Sequence, residues 1–284
     1  MDKLCHCCGS EYIPMRASAE KMIDGKEIDF TTRVLIAEKT KYFKVVEDLE
    51  DSYVCKNHAC RHIYRHFYKD ISEFHSGEYR ESHYDENEGM LSLKNEPVRL
   101  KRAINQLTIV SDFVKQQDNV LEVAPGRGFV LKAMTSKGFN NVLGVDIDDK
   151  VTQHNKKYNP DVKCITKNIL DLESGNYDVV MGFDLLEHIE ELDVFVDKMH
   201  FLTNKYVVLQ VPVDRPLVPP NYHLLENPLE HQGPFDGHLH YFTELSIINL
   251  LTNNNMFKCV FMYKTLPGET AGGPELLCVF EKTV

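Results

Sequence analysis

Apolar and polar positions in the larger, C-terminal part of the chain fall into two alternating rhythms. Val98, Ala103, Ile104, Leu107, Ile109, Val110 and Phe113 recur near helical spacing behind Pro97, a residue suited to a helix start. A strand-like run from Asn119 to Ala124 follows, then a glycine-rich turn, a helix-periodic segment from Phe129 to Lys137, and a second run from Val142 to Asp146. This order predicts a β-turn-α-β unit. Further strands are expected at Val162 to Ile165, Tyr177 to Phe183 and Tyr206 to Val211, with a helix at Leu192 to Leu202 and a last helix after Phe242. Strands separated by helices imply a mostly parallel sheet covered on both faces. The final runs, Lys258 to Thr265 and Leu276 to Glu281, are joined through Pro267-Gly268 and Gly272-Gly273-Pro274 with no helix, which predicts a C-terminal antiparallel hairpin.

The first seventy residues read differently. Short β-like runs, Arg33 to Glu38 and Tyr42 to Val46, alternate with polar turns, and the segment begins and ends in Cys and His. From about Lys69 to Glu96 the chain becomes aromatic and acidic, with Phe74, Tyr79 and Tyr84 among Glu, Ser and Gly, and neither period dominates. The organisation expected is a module over residues 1–70, a linker and active-site cover over 71–96, and an α/β domain over 97–284.

Composition narrows the partners. With 43% hydrophobic and 26% charged residues, the 284-residue chain has the balance of a globular protein. Its net charge is −11, and residues 1–70 carry twelve basic and twelve acidic side chains, so the acidic excess lies wholly downstream. That argues against a non-specific grip on a phosphate backbone, and nucleic acid is a disfavoured partner. Met1-Asp2-Lys3-Leu4-Cys5 lacks the apolar run of a signal peptide, and the longest apolar stretch, Tyr206 to Val213, is interrupted by Gln210 and Pro212. No membrane span and a cytoplasmic location are expected, with the eight cysteines as thiols or metal ligands.

The densest chemical signal is Leu121-Glu122-Val123-Ala124-Pro125-Gly126-Arg127-Gly128, between the first strand of the unit and its helix. Gly126 and Gly128 let backbone amides approach a ligand above a helix N-terminus, although an ordinary tight turn has the same composition. Asp146, eighteen residues after Gly128, ends the second strand, where an acid can accept hydrogen bonds from both hydroxyls of a ribose. Leu131 stands where a dinucleotide fingerprint has its third glycine, so a nucleoside without a pyrophosphate fits better.

These segments, together with Asn168-Ile169-Leu170-Asp171-Leu172 and Phe183-Asp184-Leu185-Leu186-Glu187-His188-Ile189, resemble the class I S-adenosylmethionine-dependent methyltransferases over about residues 97 to 284. The resemblance implies a Rossmann-like, seven-stranded, mostly parallel sheet and S-adenosylmethionine as cofactor. It further implies that Glu122 orders the loop, that Ala124, Pro125, Gly126 and Gly128 face the methionine part, and that Asp146 holds the ribose. Ile147 would pack on adenine, Asn168 and Ile169 would line its edge, and Asp184 is counted with the cofactor-binding residues. Ala124 and Asn168 depart from the family, which commonly has glycine and an acid at those places.

His188 is a candidate general base with Glu187 orienting it; alternatively the pair caps a helix and packs the cofactor pocket. In the similar ubiquinone-biosynthesis O-methyltransferases, acids and histidine at this place can hold a divalent metal, which makes Asp184, Glu187 and His188 a metal candidate. The proline-rich, histidine-rich segment Gln210 to Phe242 lies where acceptor specificity would be built. Its end, Gly237-His238-Leu239-His240-Tyr241-Phe242-Thr243, resembles the His-x-x-x-Phe-Ser/Thr signature of bacterial sugar and polysaccharide methyltransferases. His238 is there either a catalytic base or a hydrogen-bonding brace.

Cys5 and Cys8 form a Cys-x-x-Cys-Gly knuckle, and Cys55 and Cys60 supply a second cluster about fifty residues on. Four soft ligands suit a structural, tetrahedral zinc (Zn²⁺), with His58 as the alternative to Cys60 and free buried thiols as the alternative to a metal. A similar arrangement heads several sugar methyltransferases, and Cys60-Arg61-His62-Ile63-Tyr64 matches the end of their second knuckle. If residues 58 to 68 are helical, His58, His62 and His66 share a solvated face, whereas Cys164, Cys259 and Cys278 read as core. The function expected is methylation of an oxygen, with nitrogen or carbon as the alternatives, on a sugar-linked or other small polar acceptor such as a nucleotide sugar. The alternatives are an RNA or protein methyltransferase, or a non-catalytic cofactor- or zinc-binding interaction protein.

Overall fold

The computed structural model describes residues 4–14, 21–23, 26–28, 52–57, 59–60, 62–65, 96–212, 238–265 and 275–283. The runs expected at 33–38 and 42–46, the cover at 71–95, most of the insertion (213–237), His58 and His66 lie outside the described residues.

Two sheets carry the architecture. The N-terminal one contains β1 (Tyr12–Pro14), β4 (Ser52–Cys55) and β5 (Ile63–Arg65), while β2 (Lys21–Ile23) and β3 (Lys26–Ile28) pair as a separate antiparallel ribbon. The main sheet begins after helix α1 (Glu96–Ile109) with β6 (Val120–Val123), α2 (Phe129–Ser136), β7 (Val142–Asp146), α3 (Asp149–Tyr158) and β8 (Cys164–Thr166). It continues through β9 (Tyr177–Phe183), α4 (Leu192–Leu202) and β10 (Thr203–Pro212). After a short strand β11 (His240–Tyr241), which belongs elsewhere, come α5 (Glu244–Thr252), β12 (Phe257–Lys264) and β13 (Glu275–Lys282). The seven strands are ordered β12-β13-β10-β9-β6-β7-β8, and only β13 runs against the rest.

Alternation along each strand sends side chains into two apolar layers. Leu121, Val180 and Phe280 enter one layer with Leu192, Phe195 and Leu250 of α4 and α5. Val120, Val179 and Val279 enter the other with Ala103, Leu107, Leu131 and Met134 of α1 and α2. Burying each of these larger side chains contributes roughly 1.5–3 kcal/mol, which makes the central strands the rigid platform of the molecule. Of the cysteines expected in the core, Cys278 is buried, but Cys164 and Cys259 are only half-buried because β8 and β12 are the edge strands.

Two differences from the sequence pattern are local. Val162, expected in the third strand, instead closes the turn after α3 by donating its amide to the Asn159 carbonyl, so β8 starts two residues later. Helix α3 itself has no apolar stripe: its buried residues are Val151, His154 and Asn155. It is secured by polar means, beginning with Asp148, whose carboxylate accepts from the Lys150 amide at 2.9 Å as an N-cap.

The N-terminal sheet is completed from the far end of the chain. Its order is β1-β4-β5-β11, with Tyr64 opposite His240 and Ile63 opposite Tyr241. The strand β11 thus crosses from the α/β domain into the cysteine-bearing module. Among the described residues no helix is long and apolar enough to cross a membrane.

Candidate functional site

Strand order reverses between β6 and β9, and in open α/β sheets a ligand crevice opens outside the carboxyl ends at such a point. The backbone there is left-handed in an unusual concentration: φ is 53° at Ala124, 51° at Gly126, 68° at Gly128 and 52° at Asp184. For the two non-glycine residues this conformation costs of order 1–3 kcal/mol, which the surrounding structure must hold. A Cβ on Gly126 would meet nothing within 4 Å, so the turn is an open cradle at that point. One on Gly128 would lie 2.2 Å from Asn155 Oδ1. Asn155 and Asn159 explain that closeness, because α3 is sewn to the turn by their amides, donating to the Gly126 carbonyl at 2.8 Å and the Arg127 carbonyl at 2.9 Å. Ala124 therefore adopts the conformation a glycine would have.

Beneath the turn Glu122 is fully buried, and its Oε2 has no hydrogen-bond partner. Burial first, then the neighbouring Asp146 charge, push its carboxyl up to about 8, against the pull of a backbone hydrogen bond from Leu131. Asp146 ends β7 and accepts the Asp148 amide at 2.9 Å. Ile147 beside it is 59% exposed, a large apolar side chain facing outward at the crevice edge. Asn168 uses its side-chain oxygen to cap the turn Ile169–Asp171, accepting from the Leu170 amide at 2.9 Å, while Ile169 is buried in the core. An open glycine cradle, an orphaned buried acceptor and an acid at the next strand end fit a nucleoside-bearing cofactor.

At the end of β9 the carboxylate of Asp184 is held by Arg102 of α1 at 2.7 and 3.1 Å, and Arg102 also reaches Glu275 at 2.7 Å. Gln210, the residue that interrupts the apolar run of β10, donates to Glu275 at 2.8 Å and Asp184 at 3.3 Å, and accepts from Gln106 at 2.9 Å. Burial pushes the Glu275 carboxyl up to about 7 against the opposing pull of Arg102. Sequence reasoning did not find Arg102, Gln106 or Glu275. The available signal was a polar pair at i, i+4 on a helix face that also carries Ala103 and Leu107.

Beyond Asp184 the chain makes a tight turn, Leu186–His188, on which Glu187 is buried and His188 half-buried. His238 arrives from before β11, its ring centroid 4.7 Å from that of His188 in an edge-on arrangement. One ligand atom each from Glu187, His188 and His238 lie within 4.8 Å of one another. The structure thus joins all three catalytic candidates in one corner, whereas Asp184 of the suggested metal set is engaged with Arg102.

Behind this corner the cysteines converge. The sulfur atoms of Cys5, Cys8, Cys55 and Cys60 all lie within 4.8 Å of one another, with Cys5 to Cys60 at 3.8 Å and Cys8 to Cys55 at 3.4 Å. A tetrahedral zinc with bonds of about 2.3 Å would set its sulfurs about 3.8 Å apart. Hydrogen bonding from Cys60 holds the Cys5 thiol far below its usual range, and the same contact pushes Cys60 up to about 12. Such crowding lets few thiols ionise together without a cation. Cys7, outside the expected set, is buried beside them, and Cys5, Cys7 and His62 form a second close group. The expectation that His62 sits on a solvated helical face is overturned: it is fully buried, immediately before β5, because β11 covers it.

The seven-stranded sheet, its order and its glycine turn define a class I methyltransferase fold. The methyltransferase domain family matches residues 93–258, more than half of the chain, and the protein belongs to that family. Among solved structures it is similar to a Burkholderia thailandensis 1,6-didemethyltoxoflavin-N1-methyltransferase with bound S-adenosylhomocysteine. That likeness has 14% identity and a TM-score of 0.55, over 79% of this chain and 96% of that one. It is also similar to magnesium protoporphyrin IX methyltransferase from Synechocystis PCC 6803, at 18% identity and a TM-score of 0.52, over 70% of this chain and 90% of that one. No curated protein matches the chain.

Proposed function

We propose that this protein is an S-adenosylmethionine-dependent methyltransferase that methylates an oxygen of a small polar acceptor, sugar-linked or a nucleotide sugar. The observation that carries the acceptor class is a meeting of two motifs. The cysteine knuckles and the His238 to Thr243 segment each resemble sugar methyltransferases, and here they are hydrogen-bonded into one sheet through β5 and β11. The acidic α/β domain supports a small acceptor over RNA. The cofactor assignment is supported by the fit of the cradle and by the S-adenosylhomocysteine bound to a neighbour of the same fold.

S-adenosylmethionine supplies a methyl group on a sulfonium, an already activated leaving group. The protein's own residues then have three tasks. Gly126, Gly128, Ala124 and Pro125 present the turn, Glu122 stiffens it from below, and Asp146, Ile147, Asn168, Ile169 and Asp184 hold the nucleoside side. His188 or His238 takes the proton of the acceptor hydroxyl, with Glu187 orienting the pair. Cys5, Cys8, Cys55 and Cys60 hold a structural zinc away from the reaction. Positioning can supply roughly 7–11 kcal/mol of the barrier and a general base about 3–5 kcal/mol, so the histidines are accelerators rather than prerequisites.

His188→Ala and His238→Ala, tested separately for methyl transfer to a panel of nucleotide sugars, should separate the roles. Loss of about 10²- to 10⁴-fold in kcat is expected for the base, with cofactor affinity kept. Unchanged turnover in both variants would remove the base assignment. Binding of S-adenosylhomocysteine without turnover on any acceptor would favour a non-catalytic binding protein.

A further inference from the structure

His62 and His240 are both fully buried, lie 178 residues apart, and face each other with His240 Nδ1 3.2 Å from His62 Nε2. His240 Nε2 is 2.8 Å from the Ile189 carbonyl, and His62 Nδ1 is 2.6 Å from the Tyr12 hydroxyl. Every ring nitrogen of the pair is therefore engaged, and His62 Nδ1 also lies 3.9 Å from the Cys5 sulfur. A carbonyl only accepts, so His240 Nε2 carries the proton it donates.

The far end of this chain brackets the histidine corner. The Leu239 amide donates to the Glu187 carbonyl at 2.7 Å, and His240 donates to the Ile189 carbonyl, so the backbone on each side of His188 is tied to the two residues that follow His238. The near end is anchored in the cysteine module: Tyr12 lies on β1, His62 follows Cys60, and Thr243 Oγ1 donates to the Cys60 carbonyl at 2.7 Å. Tyr64 and Phe242 stack on His240 and His62 at centroid distances of 5.2 and 5.1 Å, which prevents the rings from turning.

We propose that Tyr12, His62 and His240 are positioning residues: a hydrogen-bond chain through which the cysteine module sets the geometry of the His188–His238 pair. The inference rests on the acceptor-side role given to that pair above. It makes the module part of the acceptor site although none of its cysteines belongs to the Glu187–His188–His238 group.

The test uses the full chain labelled with ¹⁵N-histidine, with S-adenosylhomocysteine as the bound probe, so no acceptor is needed. His62→Phe should move the His188 and His238 resonances while metal content and S-adenosylhomocysteine affinity stay within about twofold of wild type. His240→Phe should do the same, and His240→Gln, whose amide still donates toward Ile189, should return those resonances toward wild type. Unmoved His188 and His238 signals in both Phe variants would overturn the proposal. Should those variants fail to fold, Tyr12→Phe removes only the first hydroxyl of the chain: a smaller movement of the same resonances supports the chain, and none overturns it. Wild-type protein that does not bind S-adenosylhomocysteine would instead sink the methyltransferase function, leaving the movement of the His188 and His238 resonances to stand separately.

Discussion

The cofactor edge and the histidine corner sit side by side on one rim but are built by different means. Glu122 to Ile169 is one continuous stretch whose geometry comes from backbone: parallel strand ends, left-handed turn residues, and amides of α3 gripping turn carbonyls. The corner draws Tyr12, His62, Glu187, His188, His238 and His240 from four separated parts of the chain, and side-chain hydrogen bonds and cysteine clustering hold it. A site made from local backbone survives the loss of a distant element; a site made from distant side chains does not. The two regions should therefore separate under perturbation.

The largest effect expected is at the cysteines. Cys8→Ser should reduce metal from about one zinc per chain to none, removing a contribution on the order of 10 kcal/mol from the module. Hydrogen exchange should then speed up in β1, β4, β5 and β11 and remain slow in β6, β9, β10 and β13. S-adenosylhomocysteine affinity should change by no more than a few-fold, because the cradle is held by its own parallel strand ends and by the Asn155 and Asn159 amides. If affinity fell with the metal, the two regions would be one cooperative unit.

A middle-sized effect is expected beneath the cradle. The folded-state pKa of Glu122, about 8, stands above its ordinary value of 4.5, so the native state binds a proton more readily than the unfolded chain. Its contribution to stability is fully present below about pH 4.5 and is lost as pH rises through 8. Glu122→Gln keeps the shape and removes the ionisation, so its unfolding free energy from urea titration should gain on wild type between pH 5 and 8.5, by at most a few kcal/mol. Glu275, pushed up to about 7, acts in the same direction and should leave a residual slope in the variant. Parallel pH profiles for the two proteins would mean that Glu122 is ionised in the fold.

The same division explains what the sequence disclosed. Tyr177–Phe183 and Val142–Asp146 are strands at the expected boundaries because buried apolar runs leave little choice. Helix α3 escaped because its stability comes from Asp148, Asn155 and Asn159 rather than from an apolar stripe. The cysteine knuckles announced themselves by spacing, but the role of His62 depends on β11, and no local pattern connects residues 62 and 240. Gln210 was visible as a flaw in an apolar run; only the structure shows that it joins Glu275, Asp184 and Gln106.

The smallest effect, and the most specific to the cofactor edge, is expected at Asp146. Asp146→Ala should weaken S-adenosylhomocysteine binding at least tenfold by calorimetry, about 1.4 kcal/mol, with zinc content unchanged. Part of any loss could come from the local bond that Asp146 accepts from the Asp148 amide at 2.9 Å, which shapes the start of α3. Asp146→Asn separates the two contributions, since its remaining oxygen can still accept from Asp148 while one of the two acceptors offered to a ribose becomes a donor. Weak binding in both variants places the contact on the ribose hydroxyls; recovery in Asn assigns the effect to the turn. Full affinity in both would mean that ligand recognition at this edge rests on the glycine cradle alone, and the functional contrast between backbone and side chains would then be sharper still.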